Sequence, residues 1–170
     1  SNIGDIRDGE TLSSAMLAAA PDIVIHMAAQ PLVRYSYIEP VETYSTNVMG
    51  TVHLLEAVRK TPNVRAVVNI TSDKCYENKE WAWGYRENDA MGGKDVYSGS
   101  KGGAELVIKS YWHSFIQNMP NIKLSVVRAG NVVGGGDWAL DRIVVDCVKA
   151  FDNGGIVEIR SPMATRPWQH

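Results

Sequence analysis

A short apolar run, IVIHMAA, occupies residues 23–29 and predicts a strand that is buried on both faces. Segments with helical periodicity lie on either side of this run, at residues 8–20 and at residues 41–60. A second apolar run, AVVNI, follows at residues 66–70. Because apolar strands that alternate with long helices are typical of βαβ units, the chain is predicted to form an α/β fold around a parallel sheet.

The same alternation continues towards the C-terminus. Asp95 is placed to cap a helix whose apolar stripe ends at Phe115, and a third apolar run at residues 123–128 predicts another strand. A further helical stripe covers residues 140–151, and residues 156–159 are predicted to form a last strand. We therefore expect four strands in the chain.

The composition limits the classes of protein to which the chain can belong. The chain has 170 residues, 45% of them hydrophobic, which is enough for a domain with a sizeable core. Its net charge of -2 gives no electrostatic reason to expect nucleic acid or a membrane surface as a partner. The first residues lack the basic region and apolar core of a signal peptide. Cys75 and Cys147 lack zinc-ligand spacing, so we expect free thiols, no metal site and a cytoplasmic protein.

Polar residues follow the second predicted strand, where parallel sheets bind their ligands. Ser72, Asp73 and Lys74 bring a hydroxyl, a carboxylate and an amine to this point. They can divide the work of a hydrogen-bond donor, an acid and a base. The alternative is a polar turn in which Ser72 or Asp73 caps the local backbone.

Tyr97 and Lys101 lie four residues apart at the start of a predicted helix. This spacing places both side chains on one face, about one turn apart. An ammonium near a phenol favours the phenolate, which would make a tyrosine with a usual pKa of about 10 a base nearer neutrality. The alternative for such a pair is a solvated helix face.

The segment after the first predicted strand carries small residues. Ala28, Ala29 and Gln30 would let a flat ring lie against the backbone, or they form a simple exit turn before Pro31. Asn131 follows the third strand and would hydrogen-bond a polar ligand or stabilise the loop beside it.

Two arginines are candidate phosphate ligands. Arg142 and Arg166 would grip a phosphate in a bidentate manner, and a surface salt bridge is the alternative for each. The glycines at residues 134–136 lack the ending of a phosphate-binding loop, so we interpret them as a flexible loop on the substrate side. His26 and His53 are interpreted as packed or surface histidines.

A set of motifs recurs in order along the chain. They are GDIRD at 4–8, HMAAQ at 26–30, TNVMGT at 46–51, TSDK at 71–74, Tyr97-x-x-x-Lys101, RAGNVVG at 128–134 and RPWQH at 166–170. With these motifs the chain resembles the extended short-chain dehydrogenase/reductase family. The Ser-Asp-Lys cluster, with GGGDW at 134–138 and RPWQH, narrows the resemblance to its sugar-nucleotide dehydratases. The resemblance implies a Rossmann-like, doubly wound parallel sheet that binds NAD.

The resemblance also implies a reaction. Tyr97 would take the proton of the glucose 4-hydroxyl while hydride leaves C4 for NAD, Lys101 would hold the nicotinamide ribose, and Ser72 would hydrogen-bond the 4-oxygen. Lys74 would then remove the C5 proton while Asp73 protonates the departing 6-hydroxyl, and hydride would return to C6. The expected net reaction is loss of water from CDP-D-glucose to give CDP-4-keto-6-deoxy-D-glucose, which is lyase chemistry that supplies deoxysugars for bacterial surface polysaccharides.

The resemblance assigns further binding residues. Asp5 and Ile6 match positions that contact the adenine of NAD, and Ala28, Ala29 and Gln30 match the strand end beside the nicotinamide.

Substrate contacts and subunit contacts are implied in the same way. Asn131, Arg142 and Arg166 match positions near the pyrophosphate of the nucleotide sugar. The helix at residues 41–60 and the Tyr97 helix match the pair that forms a subunit interface, so a homodimer or homotetramer is expected.

The family's glycine-rich dinucleotide motif would lie before residue 1, and most of its C-terminal substrate region would lie beyond the last residue. We therefore expect an internal fragment, with a partial NAD-binding core at residues 1–153 and the start of the substrate-binding region at residues 154–170. Two alternatives stay open. A sugar-nucleotide epimerase or reductase would need the Tyr-Lys pair but not Asp73 and Lys74, and a truncated module for binding or assembly would need neither.

Overall fold

The fold is taken from a computed structural model that describes residues 1–159 and 161–170. These residues form two compact units, the first at residues 1–128 and the second at residues 129–170. The domain boundary predicted after residue 153 stays a prediction.

A parallel sheet forms the centre of the first unit. Its strands are β1 (Ile23–His26), β2 (Ala66–Ser72) and β3 (Lys123–Ala129), in the order β1-β2-β3. The β1 and β2 strands pair in parallel from Ile23 opposite Ala66 to His26 opposite Asn69. The β3 strand runs the same way, because its start bonds to the start of β2 through Lys123 N and Arg65 O, 2.8 Å apart. The predicted parallel α/β sheet is thus confirmed.

Helices alternate with these strands, as the sequence predicts. The α-helices are α1 (Gly9–Ala19), α2 (Val33–Ile38), α3 (Pro40–Tyr44), α4 (Gly50–Lys60), α5 (Val96–Ser114) and α6 (Ile143–Asp152), and short 3₁₀ turns occupy Asp73–Cys75 and Ile116–Asn118. Asp8 caps α1 by accepting a hydrogen bond from Thr11 N, and Asp95 caps α5 by accepting one from Ser98 N. The N-cap predicted at Asp95 is confirmed.

The long helix predicted at residues 41–60 carries an irregular turn in its middle. Helices α3 and α4 are joined without a break by a π-helical turn, Ser45–Met49, and Pro40 occupies the first position of α3. The π-turn contains Asn47, whose side chain is buried. Its hydrogen bonds to other elements, given below, account for a polar residue inside this helix.

The core lies between the sheet and helices α1, α4 and α5. Leu55 and Val58 of α4, Val67 of β2 and Ile116 beyond α5 are at most 1% exposed. Full burial of such a side chain contributes roughly 1.5–3 kcal/mol, so this cluster anchors the helices to the sheet.

The prediction that the first strand is buried on both faces is wrong. The side chains of Ile23 and Ile25 are 62% and 60% exposed, whereas His26, on the opposite face, is buried. The physical reason is that the helices of the first unit pack on one face of the sheet, and no described element of that unit covers these two isoleucines.

The predicted last strand at residues 156–159 is also wrong. A strand requires a partner for its backbone hydrogen bonds, and these residues belong to no described strand ladder. Ile156 is accordingly 97% exposed. The second unit contains instead a pair of two-residue parallel strands, β4 (Asn131–Val132) and β5 (Trp168–Gln169).

Two smaller observations complete the fold. Cys75 and Cys147 are both free thiols, as predicted. Among the described residues, no helix is long and apolar enough to cross a membrane.

Candidate active site

Tyr97 and Lys101 lie on one face of α5, as their spacing predicts. The Asp95 cap fixes the start of this helix, since its carboxylate accepts hydrogen bonds from both the backbone nitrogen and the hydroxyl of Ser98, at 2.9 and 2.6 Å. The Nζ atom of Lys101 lies 5.8 Å from the centre of the Tyr97 ring. Both residues are 8% exposed, so the pair is not a solvated helix face.

Burial governs the charges near this pair. It lowers the pKa of Lys101, because an ammonium loses hydration in the interior. Burial, together with the charge of Lys101, also lowers the pKa of His26 to about 4. The Thr51 hydroxyl donates to the Asn47 carbonyl and must therefore accept from Nε2 of His26, 3.2 Å away. His26 is thus a neutral donor, and Lys101 carries the positive charge here.

Asp73 and Lys74 lie on the 3₁₀ turn that follows β2, Ser72 caps this turn at the end of the strand, and all three residues are partly exposed. The Ser72 hydroxyl accepts from the backbone nitrogen of Lys74 at 3.2 Å and donates to the Asp73 carboxylate at 3.1 Å. The capping interpretation is therefore confirmed. Capping does not exclude a chemical role, because these side chains remain accessible at the carboxyl end of the strand.

The 3₁₀ turn packs against α5, and the loop before α5 approaches the first turn of this helix closely. A Cβ atom at Gly102 would lie 3.5 Å from the carbonyl oxygen of Cys75. A Cβ at Gly93 would overlap the backbone of Ser98 and Gly99. The fold therefore brings the element with Ser72, Asp73 and Lys74 beside the element with Tyr97 and Lys101. The roles assigned to these five residues stay predictions.

An ionic cluster, Thr71–Glu105–Arg128–Tyr76, lies beside this turn and was not predicted; all of its members are buried except Arg128, which is partly buried. Glu105 accepts from Arg128 Nε at 2.7 Å, from Arg128 Nη2 at 2.6 Å and from the Thr71 hydroxyl at 2.6 Å. Arg128 also donates to the Tyr76 hydroxyl at 2.8 Å and lies 4.8 Å from the centre of that ring. The sequence gives one hint of Glu105, because this residue lies four positions after Lys101 and so shares its helix face. No local sequence pattern indicates that Glu105 pairs with Arg128.

Electrostatics keeps this cluster ionised. Burial alone would raise the pKa of Glu105, but hydrogen bonds from Arg128 and Thr71 outweigh it and the pKa is lowered. The hydrogen bond to Glu105 raises the pKa of Arg128. Burial and the Glu105 charge raise the pKa of Cys75 to about 12, so this thiol stays protonated.

A second unpredicted network joins the end of β1 to α5. Asn47 Oδ1 accepts from the backbone nitrogen of Gln30 at 2.8 Å, and Asn47 Nδ2 donates to the Ser100 hydroxyl at 2.8 Å. Ser100 in turn donates to the Tyr97 carbonyl at 2.7 Å. The π-turn thereby connects the predicted nicotinamide-side segment to the residue preceding Lys101.

The predicted cofactor residues lie in two places. Ala28 is exposed and Ala29 is partly exposed at the end of β1, whereas the buried Gln30 side chain donates to the Thr43 hydroxyl at 2.8 Å. Asp5 is exposed and binds Arg7 through both carboxylate oxygens, and these hydrogen bonds lower the pKa of Asp5 to about 2. Their roles toward a cofactor are untested.

The carbonyl of Ile6 lies 3.2 Å from Nδ1 of His53, on helix α4. Ile6 itself is partly buried. Its predicted contact with adenine stays a prediction.

The three predicted substrate residues belong to the second unit. Asn131 lies on β4 and bonds through its backbone nitrogen to Pro167 O at 3.0 Å. Arg142 precedes α6 and lies 3.3 Å from the Asp137 carboxylate, and Arg166 donates to the Thr165 carbonyl at 2.9 Å. The salt-bridge alternative is therefore present for Arg142, and phosphate binding stays a prediction.

Comparison with known proteins gives consistent matches. The family model described as GDP-mannose 4,6 dehydratase matches residues 2–139. The CDP-glucose 4,6-dehydratase of Salmonella typhimurium is 59% identical over 174 residues, which cover 100% of this chain and 48% of that protein. The chain thus spans about half the length of this curated relative. The resemblance drawn from the motifs is confirmed.

Solved structures match in fold. The dTDP-glucose 4,6-dehydratase of Streptomyces venezuelae, solved with NAD bound, has a TM-score of 0.84 at 25% identity, covering 97% of this chain and 48% of that chain. The UDP-glucose 4-epimerase of Brucella ovis, in complex with NAD, has a TM-score of 0.68 at 29% identity, covering 78% of this chain and 39% of that chain. The fold is therefore shared by dehydratases and epimerases, and it does not by itself distinguish these two activities.

Proposed function

Because the chain belongs to the GDP-mannose 4,6 dehydratase family, we propose that it carries the catalytic core of an NAD-dependent nucleotide-sugar 4,6-dehydratase, a lyase. The substrate we propose is CDP-D-glucose and the product CDP-4-keto-6-deoxy-D-glucose. Support for the cytidine nucleotide comes from the Salmonella relative, whose identity extends over the whole chain.

One observation carries the choice of a dehydratase over an epimerase. The turn with Ser72, Asp73 and Lys74 packs against the helix with Tyr97 and Lys101. Oxidation at C4 needs one base, which Tyr97 supplies. Water loss needs in addition an acid and a second base, and a carboxylate and an amine on an adjacent element meet this need.

The end of β1 and the start of α5 fit NAD. Ala28 and Lys101 line the same small cavity, so the end of β1, where we place the nicotinamide, lies beside the lysine of α5. Bound NAD would supply the acceptor for the hydride from C4 and the donor for its return to C6. Lys101 would hold the ribose and favour the phenolate of Tyr97, because a cation stabilises a nearby anion. We assign Gln30, Ala29, Asp5 and Ile6 to the same cofactor.

The protein residues move the protons. Tyr97 accepts the proton of the 4-hydroxyl while Ser72 donates a hydrogen bond to the 4-oxygen. The resulting ketone acidifies the proton at C5, which Lys74 accepts. Asp73 gives its proton to the 6-hydroxyl, which leaves as water. As C6 is reduced, Lys74 returns its proton to C5. Solvent then takes the proton from Tyr97 and reprotonates Asp73, so the side chains and the cofactor end in their starting states.

The remaining assignments concern the substrate and the assembly. We assign the pyrophosphate of the nucleotide sugar to Asn131, Arg142 and Arg166, and residues 154–170 to the start of the substrate-binding region. We also propose a cytoplasmic homodimer or homotetramer that supplies deoxysugars for lipopolysaccharide O-antigen. Val41 and Leu106, on the helices of the proposed subunit interface, are 76% and 59% exposed, which supports a covering partner.

The proposal is tested in a chimera, in which this chain replaces the matching segment of the Salmonella enzyme. With CDP-glucose and NAD, we expect a product lighter than the substrate by one water, measured by mass spectrometry. Tyr97→Phe should abolish conversion, because it removes the phenolate. Tyr37→Phe is the matched control, since Tyr37 is 66% exposed and should leave turnover unchanged. A product of unchanged mass would favour an epimerase, and no conversion at all would contradict the proposal.

A further inference from the structure

The Glu105–Arg128 ion pair contacts both ends of the turn that carries Ser72, Asp73 and Lys74. On the N-terminal side, the Thr71 hydroxyl donates to Glu105 Oε1 at 2.6 Å. On the C-terminal side, Arg128 donates to the hydroxyl of Tyr76 at 2.8 Å. The residues contacted are buried, since Thr71 and Tyr76 are each 9% exposed, and Glu105 is 4% exposed.

The same carboxylate belongs to the helix of the Tyr97–Lys101 pair. Glu105 follows Lys101 by four residues, so it lies on the same face of α5, one turn further on. The proposed catalytic groups are carried by two separate elements, and Glu105 is bonded across the junction between them.

Arg128 fixes the orientation of Glu105. Its guanidinium occupies both carboxylate oxygens, at 2.7 and 2.6 Å, and donates to the Tyr76 hydroxyl and to the Glu87 carbonyl at 2.8 and 3.0 Å. A bidentate pair of this kind is strongly directional. Glu105 thus accepts three hydrogen bonds with strict geometry, and its burial keeps it away from a substrate.

A buried ion pair is weak evidence for stability, because desolvation offsets its attraction, but it does define geometry. We propose that Glu105 is a positioning residue: held by Arg128, it keeps the Ser72–Asp73–Lys74 turn aligned with Tyr97 and Lys101. The expected effect on reaction rates rests on the proposed dehydratase function. The expected effect on the position of the turn rests on the contacts described above.

The kinetic consequence separates two chemical steps. Oxidation at C4 depends mainly on Tyr97 and Lys101, which share the rigid helix α5. Water loss depends on Asp73 and Lys74, whose turn is held by Glu105. Loosening the turn should slow water loss more than oxidation, so that reduced cofactor accumulates. A merely structural residue would lower both rates together.

The test uses Glu105→Gln in the chimera, because glutamine keeps the shape of the side chain and removes its charge. We expect water loss to slow roughly tenfold to a hundredfold, the range for misplaced catalytic groups, with a rise in reduced nicotinamide absorbance during a single turnover. Thr71→Val removes the hydrogen bond from the Thr71 hydroxyl to Glu105 and keeps the Glu105–Arg128 ion pair. It should change the ratio of the rate of water loss to the rate of oxidation by a smaller factor. Ile108→Val is the matched control: Ile108 is buried on the same helix and should leave the ratio unchanged.

The inference would be overturned if Glu105→Gln slowed oxidation and water loss equally. It would also be overturned if Ile108→Val changed the ratio of the two rates as much as Glu105→Gln does. A second measurement does not depend on activity: amide hydrogen exchange in the 170-residue chain. Residues 71–75 should exchange faster in Glu105→Gln and in Thr71→Val than in Ile108→Val. Unchanged exchange there would overturn the inference even if the chimera dehydrates its substrate, whereas an inactive unmutated chimera would count against the proposed function alone.

Discussion

At the scale of single residues, burial determines which side chains around the Tyr97–Lys101 pair are charged. His26 is neutral because it is 8% exposed and lies near the ammonium of Lys101. A protonated His26 would place a second positive charge beside Lys101 and disfavour its ammonium. The neutral histidine therefore helps to keep Lys101 cationic, which is the state that favours a Tyr97 phenolate.

This arrangement predicts an acid sensitivity. Unfolding restores His26 to its usual pKa, so between pH 6.5 and about 4 the unfolded chain binds one proton more than the folded chain. Stability should fall as the pH decreases through this window, by no more than about 3 kcal/mol. His26→Gln, which keeps a donor for Thr51 and does not titrate, should reduce this loss in urea unfolding at a series of pH values. His113→Gln, at an exposed position, should leave the loss of stability at low pH unchanged. If His26→Gln showed the same dependence of unfolding free energy on pH as the unmutated chain, this explanation would be contradicted.

The Tyr97–Lys101 pair and the Ser72–Asp73–Lys74 turn could both be predicted at this scale, because each is a local pattern in the sequence. The partners Glu105 and Arg128 could not. They are 23 residues apart on a helix and a strand, and only the packing of α5 against the sheet brings them together. Single ionic residues without periodicity carry no sign of their partner.

At the scale of elements, the alternation of apolar runs and helical stripes predicted β1, β2, β3 and the main helices. Residues 156–159 were predicted as a strand because they are rich in isoleucine and valine, but a strand is defined by its partner as much as by its own sequence. The π-turn at Ser45–Met49 escaped prediction for a related reason, since the apolar period continues through it while Asn47 bonds to distant elements.

Packing of the loop before α5 gives a prediction at the same scale. Gly93→Ala should destabilise the first unit by about 1–3 kcal/mol, because its Cβ would overlap the backbone of Ser98 and Gly99 in the first turn of α5. Gly84→Ala is the matched control, since its Cβ meets nothing within 4 Å. Urea unfolding compares the two. Equal stability of the two variants would show that α5 does not depend on this contact.

For the molecule as a whole, the proposed chemistry is concentrated in the first unit, and the proposed substrate contacts lie in the second. Ser72, Asp73, Lys74, Tyr97 and Lys101 all belong to residues 1–128. The family match extends across both units, to residue 139. Fold alone does not separate a dehydratase from an epimerase, so the proposed dehydratase activity depends on the additional acid and base, Asp73 and Lys74.

The most direct test of this claim is a single turnover of the chimera carrying Lys74→Met, followed by nicotinamide absorbance and by product mass. We predict that reduced nicotinamide still forms, because Tyr97 and Lys101 are intact, and that no water is lost, because the base for the C5 proton is absent. Lys60→Met, at an exposed position, is the matched control and should dehydrate normally. Dehydration by Lys74→Met at the rate of the unmutated chimera would contradict the account.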